Sequence, residues 1–303
     1  MASEINKTEI KSTLTIDEAL DTISYEKKDK ALFDYFLPLA HKGDMKAQHE
    51  LALLYYSGKG VPPDLNQAIK FWTLAAEQGH IEAQYELATI LLYAENKTSI
   101  QESIYWYTLA AEQGHTKAMY ELAWIYQSGT FTPQSDEKTF YWYQALADEK
   151  VSAGQLNLGI MYLEGRFVQH DIEQALFWLN QAAQQKHPEA MLQLGLLYTK
   201  GVGIKPNPKK AFDLYKQSAQ KGNIDAQFYL ARMYSQGESV EKNSILAYVW
   251  FKIAIKNYHS PAITEWLLLK EKMKPEQIKK AENTLNTYLE DKPNLIWKLT
   301  LLY

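Results

Sequence analysis

Apolar and small residues recur along most of this chain with a period of 35 or 36 residues. Each unit begins with alanine or glycine, carries a leucine four residues later, and has a second small residue directly after that leucine. Apolar positions three or four residues apart predict a helix, and a small residue at a fixed place on it predicts close packing against another helix. The leucines are Leu51, Leu87, Leu122, Leu158, Leu194 and Leu230, and the small residues are Ala52, Ala88, Ala123, Gly159, Gly195 and Ala231.

A second helix is predicted in each unit by two adjacent, mostly aromatic positions that lie between alanines. Because these positions recur in step with the period, we expect them to be core residues, Trp106, Trp142, Trp178 and Trp250 included. Each unit is thus an antiparallel helix pair, and such pairs bury their apolar faces only by stacking. The first position holds Phe71, Trp106, Trp142, Trp178, Leu214 and Trp250, and the second holds Trp72, Tyr107, Tyr143, Leu179, Tyr215 and Phe251.

The combined pattern, A-xxx-L-[AG]-xx-Y-xx-G followed by A-xx-[FW]-[WYF]-xx-AA-xx-G, resembles the SEL-one-like repeat (SLR) family, which is similar to tetratricopeptide repeats. The resemblance covers roughly residues 30 to 285. It implies an all-α, right-handed α-solenoid that serves as a protein-binding scaffold or adaptor. It also implies a bacterial protein, either an accessory factor of a secretion or envelope system or, as the alternative, an immunity protein that neutralises a toxin.

The pattern predicts five segments. Residues 1–13 are polar and expected to be disordered, 14–46 form N-terminal capping helices, 47–261 hold six repeats, 262–290 form C-terminal capping helices, and 291–303 are an apolar tail. Within the first cap, we expect one helix from Thr15 to about Lys27 and a second from Leu32 to Gly43, with Lys28–Lys30 as a connector.

Composition restricts the classes of partner. The net charge of −4 and the lack of a basic stripe argue against nucleic acid. No apolar run is long enough for a membrane span, and the N-terminus has no apolar stretch typical of a signal peptide. The chain has no cysteine, which favours a reducing compartment, so we expect a cytoplasmic protein.

Motifs for chemistry are weak. The seven histidines form no H-x-x-x-H or H-E-x-x-H pair, and three S-x-x-K matches lack the companion motifs of β-lactam-recognising enzymes. There is no phosphate loop and no dinucleotide motif. The sequence therefore predicts no catalytic residue, no metal site and no cofactor, and we expect a protein that is not an enzyme.

Candidate binding residues follow from analogy with tetratricopeptide repeats, in which the first helix of each pair lines a concave groove. Relative to the leucine, groove positions lie two before, one before and two after it. Glutamates and aromatic residues at these positions predict a site for a basic or amphipathic peptide segment. The alternative is that the glutamates are solvated and the aromatic residues pack on the next repeat. The candidates are His49, Glu50, Tyr85, Glu86, Thr89, Tyr120, Glu121, Trp124, Asn157, Tyr229 and Arg232.

The tail is a second candidate, because it is unusually apolar for a terminus. It could be a docking peptide or a dimer contact, or it could fold back over the last helix and cover the open apolar end. The sequence does not decide between these alternatives and predicts no oligomeric state. The residues concerned are Leu295, Ile296, Trp297 and Tyr303.

Overall fold

A computed structural model of the protein describes residues 25–94 and 97–291, and this part of the chain contains fifteen helices and no strand. They are α1 (Tyr25–His41), α2 (Met45–Ser57), α3 (Leu65–Glu77), α4 (Ile81–Leu92), α5 (Lys97–Glu112), α6 (Thr116–Ser128), α7 (Asp136–Asp148), α8 (Ser152–Glu164), α9 (Ile172–Gln184), α10 (Pro188–Lys200), α11 (Pro208–Gln220), α12 (Ile224–Gln236), α13 (Ser244–Lys256), α14 (Pro261–Glu271) and α15 (Pro275–Asp291).

The chain divides into two compact units, and the boundary along the sequence falls within α6. The first unit ends at Leu122 and the second begins at Ala123. In the first unit, α1 to α4 surround a core that contains Leu51, Phe71 and Trp72. In the second unit, a core around Tyr215, Trp250 and other buried residues extends from α10 to α15.

Small residues set the spacing within the helix pairs, as predicted. The helices α8 and α9 pack together, as do α10 and α11. A Cβ atom added to Gly159 would lie 2.9 Å from Cγ of Leu179, and one added to Gly195 would lie 2.6 Å from Cε1 of Tyr215. The small residue therefore makes room for the second core position of its own pair.

The two aromatic positions of the second helices differ in burial. Every residue at the second position is buried, from Trp72 to Phe251. At the first position, Trp142 and Trp250 are buried, but Trp106 and Trp178 are only partly buried. The prediction that all four tryptophans are core residues is therefore wrong for these two. The first position is one residue away from the centre of the buried face, so its burial depends on local neighbours.

Polar side chains start most of the helices. Asp64 Oδ1 accepts a hydrogen bond from the backbone N–H of Gln67 at 3.0 Å, the usual N-cap arrangement. His80 and His115 do the same through Nδ1, which accepts from Ala83 N at 3.2 Å and from Ala118 N at 3.1 Å. These bonds require that Nδ1 carries no proton.

Buried glutamines connect three helices at a time. Gln48 in α2 donates from Nε2 to the carbonyl of Ala40 at the end of α1, and its Oε1 accepts from Gln78 after α3 at 2.7 Å. Gln84 repeats the arrangement between Ala76 and Gln113, with distances of 3.1 and 2.8 Å. In the second unit, Gln185 donates to Gln155 at 2.8 Å and Asn257 donates to Gln227 at 2.9 Å. The sequence analysis did not identify these bridges.

The first helix differs from the prediction. Residues 28–30, expected to be a connector, lie inside the continuous helix α1, which also continues through Pro38. Lys30 is exposed and forms an i,i+4 pair with Asp34 at 2.5 Å, which favours a continuous helix here. Most of the predicted helix from Thr15 lies outside the described residues.

Candidate functional site

Two helices of the first unit bring acidic and aromatic side chains together. Tyr85 and Glu86 lie on α4, and Glu121 lies on α6. Burial raises the pKa of the Tyr85 hydroxyl, and the charges of Glu121 and Glu86 raise it further. Both carboxylates therefore influence the pKa of the same phenol hydroxyl. We refer to Tyr85, Glu86 and Glu121 as the acidic surface.

Tyr85 is held by rings on two sides. Its ring lies 5.7 Å from that of Tyr107 and 4.6 Å from that of His115. Thr89 donates its hydroxyl proton to the carbonyl of Tyr85 at 2.9 Å, so the hydroxyl of Tyr107, also 2.9 Å away, donates to Thr89. Thr89 was predicted to contact a partner, but its hydroxyl is already hydrogen-bonded to Tyr85 and Tyr107.

The two glutamates are half-buried, and no described lysine, arginine or histidine forms an ion pair with either of them. Burial raises the pKa of Glu86 and of Glu121, and Lys117 partly opposes this for Glu86. Within residues 25–94 and 97–291, neither carboxylate forms an ion pair. A carboxylate whose desolvation is not compensated favours an incoming cation.

Tyr120, the residue before Glu121, is 41% exposed. It occupies the same place in its repeat as Tyr85 does. Its ring is therefore an accessible apolar face next in sequence to one of the unpaired carboxylates.

His49 does not fit the expected groove. Its side chain is buried and stacks on His80, with ring centroids 4.5 Å apart. Burial, with a smaller effect of His80, lowers its pKa to about 4, while Glu82 opposes the shift. His49 is therefore a packing residue and is not available to a partner. Glu50, its neighbour, is exposed. Within the described residues, its carboxylate forms no hydrogen bond or ion pair with Tyr85, Glu86 or Glu121.

The remaining predicted residues lie in the second unit. Trp124 is partly exposed and packs on Phe131, with ring centroids 5.8 Å apart. Asn157 donates to the carbonyl of Ala153 in its own helix at 2.8 Å. These two side chains therefore already have contacts within the chain.

Tyr229 and Arg232 line a small cavity of about 100 Å³. The ring of Tyr229 stacks on Tyr215 at 5.2 Å, and Arg232 Nε lies 3.9 Å from a carboxylate oxygen of Glu265. A cavity of this size holds a few water molecules and is too small for a peptide segment.

A second cleft, which the sequence analysis missed, lies in the second unit. It has a volume of about 380 Å³ and is lined by Phe140, Tyr141 and Phe167, among others. Phe167 has a φ of 65° and is 56% exposed. Gly60 and Gly203 have the same backbone conformation at this place in their repeats. The sequence did contain a signal for this cleft, because Phe167 stands at a position where two other repeats have glycine, Gly60 and Gly203.

The described residues contain no group of three or more side chains that could together bind a metal ion. No described helix is both long and apolar enough to cross a membrane. The predicted tail residues, Leu295, Ile296, Trp297 and Tyr303, lie outside the described residues.

Comparison with known families confirms the repeat pattern. The family model described as Sel1 repeat matches residues 46–80, 81–115, 116–150, 152–187, 188–223 and 224–259. The predicted all-α solenoid of six repeats and the resemblance to SLR proteins are thereby confirmed. This fold is typical of protein-interaction scaffolds.

Solved structures agree with the fold. A protective antigen present in uropathogenic Escherichia coli strains is 28% identical with a TM-score of 0.75, and the match covers 91% of this chain and 60% of that one. A Sel1 repeat protein from Oxalobacter formigenes is 27% identical with a TM-score of 0.66, covering 80% and 69%. The chain thus spans about three fifths of the E. coli structure. No curated protein matches the sequence.

An immunity protein from Pseudomonas aeruginosa is 21% identical with a TM-score of 0.44, and the match covers 73% of this chain and 88% of that one. A similarity of this strength carries no functional argument.

Proposed function

Because the chain belongs to the Sel1 repeat family, we propose that it is a non-enzymatic scaffold that binds a basic, amphipathic segment of a partner protein at the acidic surface. One observation carries this proposal. Glu86 and Glu121 are half-buried beside Tyr85, and neither has a cation within ion-pair distance in the described chain.

Electrostatics favours a lysine or arginine of the partner at this surface. Charges that are partly removed from water interact more strongly than solvated ones, because the effective dielectric constant is lower. A cation placed beside either carboxylate would compensate for the desolvation that raises its pKa value. The site would therefore bind most strongly above those pKa values and weaken as the carboxylates are protonated.

Aromatic rings supply the apolar contacts of the proposed site. Tyrosine is enriched at binding hot spots because it combines a large apolar face with a polar end. The exposed ring of Tyr120 would contact an aliphatic side chain next to the basic residue. The partner segment is thus proposed to combine lysine or arginine with leucine-like residues.

We propose a bacterial secretion or envelope system as the setting of this scaffold, which the family resemblance favours. Neutralisation of a toxin is the alternative setting, and it would use the same surface to bind one folded partner tightly.

The experiment is a selection of phage-displayed random peptides on the immobilised protein at neutral pH. The expected result is enrichment of lysine or arginine beside large aliphatic residues. A selected peptide, labelled with fluorescein, should lose at least about tenfold in affinity for the Glu86→Gln, Glu121→Gln double variant.

Glu50→Gln is the matched control, because Glu50 holds the same place in its repeat but is exposed. It should leave the affinity unchanged. Equal losses with the control variant, or enrichment of acidic peptides, would show that the acidic surface is not the binding site.

A further inference from the structure

Helix α14 has an exposed apolar face. On α14, Ile263, Leu267 and Leu268 are 44%, 48% and 51% exposed. Ile263 and Leu267 are four residues apart, so they lie on one face of the helix, and Leu268 lies beside Leu267. By contrast, Ala262 and Leu269 of the same helix are buried.

The repeat register explains why this face is open. Leu267 stands where the six preceding repeats have alanine or glycine. In α8 and α10, the glycine at this place makes room for Leu179 and for Tyr215. A leucine fills that space, so a second helix cannot approach α14 in the usual way.

The helix α15 packs elsewhere. Glu282 accepts a hydrogen bond from the hydroxyl of Tyr248, and the ring of Tyr288 lies 5.7 Å from that of Trp250. Both partners belong to α13. The helix α15 thus covers α13, and the face of α14 that carries Leu267 keeps its exposure.

The sequence that follows α15 has the composition to cover this face. Twelve residues, 292–303, follow Asp291 and lie outside the described part. Between Asn294 and Tyr303, Lys298 is the only charged residue. Of the seven apolar residues in this stretch, Leu295, Ile296, Leu299, Leu302 and Tyr303 are spaced as on one face of a helix, whereas Trp297 and Leu301 would lie on the opposite side.

We propose that residues 294–303 pack on the face of α14 formed by Ile263, Leu267 and Leu268 of the same chain, and take the place of the missing second helix. The lengths agree, since ten helical residues span about 15 Å and α14 is of similar length. Because the segment follows α15 after only two residues, it needs no long connection. This proposal is independent of the acidic surface.

Disulfide crosslinking tests the proposal in the 303-residue chain, which has no cysteine. Leu267→Cys is combined, in separate variants, with Leu295→Cys, Ile296→Cys, Leu299→Cys or Leu302→Cys. After mild oxidation, non-reducing electrophoresis and peptide mapping measure the crosslinked monomer. A disulfide requires Cα atoms within about 7 Å, so at least one of the four pairs should crosslink about tenfold more than the control.

The matched control combines Leu267→Cys with Trp297→Cys, since Trp297 would lie on the side of the helix opposite to the apolar face. Substitution of exposed Leu267 should leave the fold intact, which circular dichroism would verify. No crosslink in any of the four pairs would overturn the proposal. Crosslinked dimers that increase with protein concentration would also overturn it, because the segment of a second copy would then occupy the face.

Discussion

Gly195 leaves the space that the ring of Tyr215 fills, since a Cβ atom at Gly195 would lie 2.6 Å from Cε1 of that ring. The ring is buried and its hydroxyl lies 3.0 Å from Thr199 Oγ1, so it cannot move without loss of packing and of this hydrogen bond. Burial raises the pKa of Tyr215 to about 12, which keeps the hydroxyl protonated. The fit between α10 and α11 thus depends on the absence of one methyl group.

Gly195→Ala should therefore destabilise the protein. Overpacking costs about 1–3 kcal/mol, and the higher helix propensity of alanine offsets up to about 1 kcal/mol of it. Thermal unfolding monitored by circular dichroism would measure the change. Gly159→Ala should cost less, because its new methyl meets the aliphatic side chain of Leu179. A Gly195→Ala variant as stable as the parent would mean that Tyr215 repacks freely.

The glutamine bridges predict a contrast between two substitutions of Gln84. Gln84→Ala removes both hydrogen bonds and leaves a cavity, at a cost of about 2–4 kcal/mol. Gln84→Met should cost less, because Met119 and Met191 are buried at the same place in their repeats. Equilibrium denaturation in urea would compare the two variants. Equal costs would show that packing volume is unimportant at this position.

His49 predicts acid sensitivity. Its folded pKa of about 4 lies below the ordinary value of 6.5, so the unfolded chain binds more protons between these values. Stability should therefore fall as the pH decreases from 6.5 to 4, with a loss of up to about 2 kcal/mol from this residue at pH 5. The measurement is the melting temperature of the parent and of His49→Phe as a function of pH.

In that variant, the pH dependence should weaken while packing is kept, since Phe228 stacks on His259 at the same place in another repeat. The control is His170→Gln, because His170 is exposed. It should keep the pH dependence of the parent. If the parent and His49→Phe lose stability equally between pH 6.5 and 5, His49 is not the group that titrates.

The acidic surface predicts the opposite sign. Because the folded pKa values of Glu86 and Glu121 are raised, the folded protein binds more protons, and their charge destabilises it at neutral pH. Glu86→Gln or Glu121→Gln should stabilise the protein at pH 7 by about 0.5 kcal/mol each. The gain should decrease as the pH falls through the folded pKa values. Glu50→Gln, measured in parallel, should change the melting temperature very little.

Phe167 predicts a ranking of two substitutions. Its positive φ suits glycine and strains any residue with a Cβ atom by about 1–2 kcal/mol. Phe167→Gly should therefore be about 1 kcal/mol more stable than Phe167→Ala, although both lose the contact with Phe140 at 5.5 Å. Chemical denaturation would measure the difference. A more stable alanine variant would indicate that the loop adopts another conformation.

The repeats could be predicted from the sequence because their apolar positions recur with one period, and packing requires each small residue at a fixed place. Burial of individual side chains was harder to predict when it depends on a neighbouring repeat. His49 was assigned to the groove by its register, yet it is buried, and its ring stacks on His80, which precedes the first helix of the next repeat. Trp106 and Trp178 were assigned to the core because they recur in step with the period, yet both are only partly buried.

The candidate site was predicted in part. The sequence placed Glu86 and Glu121 at equivalent positions of successive repeats, but it could not show that both act on Tyr85. Nor could it show that Thr89 is engaged by Tyr107. The glutamine bridges were missed because a glutamine near the start of a helix is ordinarily solvated, and only the structure reveals its two partners.

Those bridges also bear on how such a chain can grow. Gln48 and Gln84 each find their side-chain partner, Gln78 or Gln113, within their own repeat. From the preceding helix they need only a main-chain carbonyl, which any amino-acid sequence provides. A duplicated gene segment that encodes one such repeat would therefore bring its own polar junction with it. Insertion or loss of a whole repeat therefore requires no compensating substitution at these bridges in the neighbouring repeat. As far as the bridges are concerned, chain length can change in evolution by single steps.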